Sequence, residues 1–338
     1  MTSNLLSYNK ILGVCIPTYK RPDQLLRCVE SVIVSAEPCN VPIFITDDST
    51  DTTNDAVIAQ LTAQYPHIVY SRNVKNLGID RNILHSANVC DCEFAWLLGE
   101  DDRMTPEGIA TVLRTLESAS EPPAFVCVNY SYVDEHIAMV LREKLLPIEA
   151  DTAMDTAQFF RQYGWAIGFI GSCVVNKKRW QNVDQEKHIG TYFAHVGTIM
   201  ESAAGGKVTL IAQPLILNRV GGADVFTWSD DAYGVFGGWK RMTERLVPIF
   251  GEQVCKEASD GFTAAMGLGT VRFLCAKRAD AIYNLAVYNR AIRPDSSAKP
   301  GYKFAALLVA LAPASLFGLT RTLVYQLRRQ RNRKLSGL

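Results

Sequence analysis

The sequence predicts an α/β fold, a doubly wound and mostly parallel sheet flanked by helices, followed by a helical C-terminal region. Two observations in the first third of the 338 residues carry this: short apolar runs alternate with amphipathic stretches of helical length, and acid- and hydroxyl-rich segments follow the apolar runs. A third is composition, since 48% hydrophobic and 20% charged residues describe a globular chain able to bury a sizeable core.

The elements follow in order. "ILGVCIPTY" reads as a buried strand ended by Pro17, and "RPDQLLRCVESVIVSA" as a helix with Leu25, Leu26, Val29, Val32 and Ile33 at helical spacing. "VPIFITDD" is a second strand running into a capping turn, and "NDAVIAQLTAQY" the helix after it. "HIVYSRN", "IDRNILHSANVC" and "EFAWLLG" continue as strand, helix and strand. Parallel pairing follows, because strands joined through helices of this length cannot be hairpins. "TPEGIATVLRTLES" is a helix with Thr105 as N-cap and Pro106 at its first position, and "PAFVCVNYSYVD" is another strand. Beyond 150 the pattern predicts a strand at Ser172 to Val175, a helix from about Tyr192 to Ala204 and an edge strand over Val208 to Ile211. Residues 1–225 form the expected main domain, with halves at 1–115 and 116–225; 226–300 is helical, and 301–338 is a basic tail.

Charge is unevenly spread. The formal net charge is +1, yet no acid follows Asp295, while Lys299, Lys303, Arg321, Arg328, Arg329, Arg331, Arg333 and Lys334 do. Without those eight the chain stands at about −7. The apolar stretch Phe304–Leu319 falls short of the roughly 20 residues that span a bilayer, so an apolar helix leading into arginines predicts a segment lying on an anionic membrane. The nine cysteines include no C-x-x-C pair, which argues against a zinc cluster and for a reducing compartment. With no signal peptide read at the N-terminus, the expected location is cytoplasmic, peripheral on the inner face of the cytoplasmic membrane.

Ligands of open α/β sheets sit beyond the carboxyl ends of the strands. "PTYKR", "TDDSTD" and "GEDDR" all fall there. Adjacent carboxylates repel one another, and a hard divalent cation bridging to phosphate oxygens removes that repulsion. Neither G-x-x-x-x-G-K-[ST] nor G-x-G-x-x-G follows the first strand, which removes the main support for a P-loop or dinucleotide site. The pattern suits diphosphate handling by a metal, with Arg21 and Arg81 as supplementary cations.

"VCIPTYKRPDQLLRCVESV", "ITDDSTDTT", "NLGIDRNIL" and "WLLGEDDRM", in this order, resemble the nucleotide-sugar-binding half of the family-2 glycosyltransferases of GT-A fold, over about residues 11–115. The resemblance implies that Pro17, Thr18, Tyr19 and Arg21 line the nucleotide, that Asp47 and Asp48 contact base or ribose, and that Asp101 and Asp102 hold Mg²⁺ or Mn²⁺. The commoner pattern has Asp where this chain has Gly99, which leaves Glu100 without an assigned role. "GSCVVNKKRW", "IGTYFAHVGTIM" and "PLILNRVGGAD" are similar to the abequosyltransferase-like branch, which transfers a deoxy-sugar in bacterial O-antigen assembly. That resemblance implies inversion, with a base where relatives carry an acidic pair; here the position falls at or beside His195, with Glu201 and Asp184 in reserve.

Trp165, Tyr192, Phe193, Trp228 and Trp239 are candidates for stacking on an acceptor sugar, and Asp224 for a lid. The expected activity is metal-dependent transfer from a nucleotide-diphosphate sugar to a saccharide hydroxyl, probed against two rivals. A nucleotidyltransferase uses similar carboxylates but normally shows a glycine-rich basic loop, and a non-catalytic sugar-nucleotide or glycan-binding protein would explain the missing acidic pair.

Overall fold

The computed structural model describes residues 8–221, 232–279, 281–294 and 298–317. Asp224, Trp228 and the basic tail beyond 317 lie outside the described residues. Compactness divides the chain into two units, Met1–Val225 with Gly237–Gly261, and Phe226–Phe236 with Phe262–Leu338.

One ten-stranded sheet organises the first unit. Its strands are β1 (Leu12–Thr18), β2 (Ile43–Asp47), β3 (Ile68–Arg72), β4 (Phe94–Leu97), β5 (Arg103–Met104), β6 (Phe125–Val133), β7 (Val140–Arg142), β8 (Thr152–Asp155), β9 (Cys173–Asn176) and β10 (Lys207–Arg219). The spatial order is β3-β2-β1-β4-β9-β6-β10-β5, with β7 on β6 and β8 on β10. Ladders β2/β3, β1/β2, β1/β4 and β6/β10 are parallel, and β9 runs antiparallel between β4 and β6. Helices α1 (Pro22–Ala36), α2 (Asp55–Gln64), α3 (Ile79–Val89), α4 (Gly108–Ser118), α5 (Thr156–Tyr163), α6 (Lys177–Trp180) and α7 (Ala194–Ala203) connect them.

The parallel half forms as its residues dictate. Leu12, Val14, Cys15 and Ile16 are completely buried, the near-continuous apolar run of a strand covered on both faces. Pro22 opens α1, where its missing N–H has no intrahelical partner to lose, and Leu25, Cys28, Val29 and Val32 bury one helical face. Two hydroxyls on α1 hold the chain leaving β4: Ser31 Oγ accepts from the Met104 N–H at 3.1 Å and Ser35 Oγ from the Ile109 N–H at 2.9 Å.

Three sequence expectations need correction. Strand β1 does not stop at Pro17 but continues to Thr18; its ladder with β4 ends at Cys15, so at Pro17 only β2 remains as a partner. Helix α4 begins at Gly108 and not at Pro106: the Gly108 N–H closes a turn on the Thr105 carbonyl at 3.0 Å, and the buried Thr105 Oγ1 caps no helical N–H. The segment read as an edge strand at Val208 to Ile211 is part of β10, which lies between β6 on one side and β8 and β5 on the other, with register shifts around Pro214.

After β10 the described chain is helical, with α8 (Ala232–Arg245), α9 (Val247–Phe250), α10 (Glu252–Ala265), α11 (Val271–Ala279), α12 (Leu285–Val287) and α13 (Pro300–Leu311). The second unit has its own core of Leu274, Tyr283, Tyr288, Ile292, Ala306, Val309 and Ala310. No described helix is long and apolar enough to cross a membrane.

Candidate active site

Strand order reverses beside β1: β2 and β3 lie to one side of it and β4 to the other. Such a reversal opens a crevice at the carboxyl ends of the strands. The residues leaving β1 and β4 meet there. Glu100 Oε2 accepts from the Thr18 hydroxyl and from the Tyr19 N–H, the latter at 3.1 Å, so Glu100 joins the loop after β4 to the end of β1. This gives the unassigned carboxylate of "GEDD" a positioning task. Arg21 lies between two acids, 3.7 Å from Glu100 and 3.7 Å from Asp101.

Asp101 and Asp102 share a second cation that the sequence did not flag. The Arg219 guanidinium is 3.4 Å from Asp101 Oδ2, and the Arg219 N–H donates to Asp102 Oδ1 at 3.1 Å. Arg219 ends β10, more than a hundred residues away in sequence, and the antiparallel pairing of β10 with β5, Leu217 opposite Arg103, brings it beside the two aspartates. Burial, and after it the charge of Asp101, pushes the Asp102 carboxyl well above the usual carboxylate range. Burial likewise raises Glu100 to about 8, against the lowering effects of the Thr18 hydroxyl, Arg21 and the Tyr19 N–H.

A cavity of about 340 Å³ opens next to the pair, with Arg27, Asp101, Asp102, Arg103, His136 and Arg219 among its lining residues. Its outer wall is the turn after β6, where Ile137 adopts a φ of 55°, an unusual conformation for a β-branched side chain.

Asp102, whose proton affinity burial has raised, forms with the adjacent Asp101 carboxylate a donor set in which a hard cation can replace the proton. No group of three or more His, Cys, Asp or Glu side chains suited to a metal occurs among the described residues. Asp101 and Asp102 would therefore supply two ligands and leave the rest to phosphate oxygens and water, a common arrangement for Mg²⁺.

The remaining predicted residues are placed as follows. Pro17, Thr18, Tyr19 and Arg21 lie together at the end of β1, with the Tyr19 side 42% exposed toward solvent. Asp47 and Asp48 lie at the end of β2 but are buried, and protein donors occupy their oxygens. Asp47 accepts from the Ser49 N–H at 2.8 Å and the Tyr70 hydroxyl at 3.0 Å. Asp48 accepts from Asn73 Nδ2 at 3.0 Å and from the Leu77 and Gly78 N–H groups at 2.7 and 2.9 Å. Arg81 is not drawn to the carboxylates; it pairs with Glu186 at the surface.

His195 is 1% exposed at the start of α7. Its Nε2 is 3.0 Å from the Ile167 carbonyl, and its Nδ1 is buried without a hydrogen-bond partner. Burial lowers its pKa to about 4. The ring is a neutral core residue here, sealed from solvent. The reserves are also engaged: Glu201 pairs with Lys187 and with His188 Nε2, the latter at 3.0 Å, and Asp184 caps the turn Gln185–His188. Phe193 and Trp239 are buried and pack edge to face at 4.9 Å, which makes them core and removes them as stacking platforms.

Two further residues escaped the sequence reading. Asn82 donates through Nδ2 to the carbonyls of Thr18 and Thr46, at 3.3 and 3.2 Å, and clamps the ends of β1 and β2 together. Asp80 Oδ2 accepts from three successive N–H groups, those of Gly190, Thr191 and Tyr192, at 2.8, 3.1 and 3.2 Å. That carboxylate fixes the loop entering α7. The motif "NLGIDRN" was conspicuous, but its weight falls on Asp80 and Asn82 and not on Arg81.

The pattern that defines glycosyl transferase family 2 matches residues 13–180. Abequosyltransferase RfbV of Salmonella typhimurium is 27% identical over 226 residues, which cover 62% of this chain and 66% of that protein. The Mycobacterium tuberculosis protein MT1568 is 29% identical over 126 residues, 36% of this chain and 39% of its own. The alignments thus span less than two thirds of either relative. Residues 1–349 of S. aureus TarS superpose with a TM-score of 0.57 at 10% identity, covering 79% of this chain and 80% of that one. The same protein in complex with UDP-GlcNAc gives 0.55 at 9% identity, covering 88% and 89%. Four ordered motifs, carboxylates gathered at the strand-order reversal and a family match spanning them agree: the chain belongs to glycosyl transferase family 2.

Proposed function

We propose that this enzyme transfers a sugar from a nucleotide-diphosphate donor to a saccharide hydroxyl, with inversion and with the help of a divalent cation. The observation that carries the reading is the meeting of Asp101, Asp102, Arg21 and Arg219 beside a cavity, at the point where β1 and β4 diverge. Pro17, Thr18, Tyr19 and Arg21 line the nucleotide in this reading, and Asp47 and Asp48 shape its groove by holding the β2 end and the 73–78 loop. Asp101 and Asp102 would hold Mg²⁺ or Mn²⁺, which when bound supplies positive charge to the departing diphosphate. Arg21 and Arg219 add fixed positive charge at the same place, a preorganised stabilisation of charge that develops on the leaving group. Arg81 enters only by releasing Glu186.

The acceptor hydroxyl attacks the anomeric carbon as the bond to the diphosphate breaks, and its proton passes to a base. His195 is the candidate, on one condition set by its burial: the first turn of α7 must open when substrates bind. Similarity to RfbV supports a deoxy-sugar or hexose donor and a lipid-linked acceptor of surface polysaccharide, such as O-antigen. The basic sequence after Asp295 supports a place on the inner face of the cytoplasmic membrane.

The test is thermal stabilisation by UDP and other nucleoside diphosphates with Mn²⁺ or with EDTA, followed by donor turnover. Binding raises apparent stability by mass action. The reading expects a metal-dependent shift and turnover, both lost in Asp101→Ala and Asp102→Ala. A metal-independent shift removes the carboxylate assignment, and binding without any turnover favours a non-catalytic binding protein. His195→Ala with an unchanged transfer rate removes the histidine from the chemistry.

A further inference from the structure

Helix α13 is apolar on two opposite sides. Ala306, Val309 and Ala310 belong to the core of the second unit, and three bonds hold that side inward: the Tyr283 hydroxyl donates to the Ala306 carbonyl at 3.0 Å, Arg278 Nε to the Ala312 carbonyl at 2.9 Å and Lys303 Nζ to the Arg293 carbonyl at 3.0 Å. At about 100° per residue, Phe304, Leu308 and Leu311 fall in an arc of about 60° on the opposite side. They are 65%, 52% and 60% exposed, and Leu316, further along, is 57% exposed. A helix whose outer face met only water would place polar residues there.

We infer that this face of α13 seats in the headgroup boundary of an anionic lipid bilayer. The inference rests on the membrane reading above and assigns it to a particular surface. Charge selects the occupant: no acid follows Asp295, and Lys299 and Lys303 stand at the start of α13 with six more basic residues later in the sequence. Anionic lipid complements this charge, whereas a second copy of the chain would bring the same sign against it. Size points the same way. The four side chains expose roughly 400 Å², about half of what each partner buries in a stable protein interface. At about 1.5 Å rise per residue, a twelve-residue helix spans about 18 Å, too short for the hydrocarbon core, so it lies along the surface.

The experiment uses the full chain in co-sedimentation with vesicles of phosphatidylcholine alone or mixed with phosphatidylglycerol, at low and high salt. Binding to the mixed vesicles is expected, with a residue of binding that survives high salt. Phe304→Ser/Leu308→Ser/Leu311→Ser is expected to lower partitioning about tenfold or more at either salt. Arg328→Gln/Arg329→Gln/Arg331→Gln/Arg333→Gln is expected to weaken binding mainly at low salt. A Phe304→Trp variant quenched by bromine-labelled acyl chains more strongly than the parent reports the same contact without depleting the face. Parent-like sedimentation of the triple serine variant overturns the inference, as does a parent dimer that the triple variant dissociates. The nucleoside-diphosphate shift, measured on the same samples, separates this outcome from failure of the catalytic reading.

Discussion

The carboxylate of Asp102 folds back over Gly99, so a Cβ at position 99 would lie 2.6 Å from Asp102 Oδ2. The space a side chain at position 99 would need is taken by Asp102 itself. Gly99→Ala therefore has to displace the Asp102 side chain and its bond from the Arg219 N–H. The expected result is about tenfold weaker metal-dependent nucleoside-diphosphate binding, roughly 1.4 kcal/mol, measured by calorimetry with Mn²⁺. Equal affinity in the two proteins would show that Asp102 need not stay where it is.

Asn82 offers a test of how the crevice is held open. Its Nδ2 donates to two carbonyls, and its Oδ1 accepts from Asn73 Nδ2 at 3.1 Å. Asn82→Asp keeps the shape but turns the two donated bonds into carboxylate facing carbonyl. Urea denaturation should show Asn82→Asp destabilised by about 2–4 kcal/mol, more than Asn82→Ala at about 1–3. The reverse order would mean that the clamp works through packing.

Asp80 tests the loop before α7. With three N–H groups converging on one oxygen, Asp80→Ala leaves the buried Thr191 N–H and the half-buried Gly190 and Tyr192 N–H groups without that acceptor. A loss of about 3 kcal/mol in stability is expected, together with faster proteolysis between Ile189 and Phe193. Unchanged proteolysis there would show that the loop is held by other contacts.

His195 predicts a pH dependence of stability. Burial depresses its pKa from 6.5 to about 4 in the fold, so the unfolded chain binds the proton more readily. Its stabilising contribution is complete above about 6.5, declines as pH falls and is gone below about 4, for a total of about 3 kcal/mol. Chemical denaturation of the parent between pH 7 and pH 5 should therefore fall more steeply than that of His195→Gln. Parallel curves would place an accessible histidine of ordinary pKa in the native state, and in its neutral form such a ring also qualifies as a base.

Local pattern determined much of this protein. Strands β1 to β4, helices α1 to α3 and the gathering of "PTYKR" and "GEDDR" at one sheet edge were legible because each rests on nearby residues: apolar runs, a proline at a helix start, acids after a strand. The shape of β10 was not, since a strand interrupted at Pro214 looks local and weak until β6, β8 and β5 pair with it. The same holds for the partners of the site. Arg219 reaches Asp101, Thr18 reaches Glu100 and Asp80 reaches Gly190 across long stretches of chain, and no spacing rule connects them. Burial, too, is a tertiary property. The sequence showed a histidine in "YFAHVGT" and an arginine in "NLGIDRN", but only packing decided that His195 is neutral against the Ile167 carbonyl and that Arg81 faces Glu186, because desolvation and charge pairing depend on what the whole fold brings alongside.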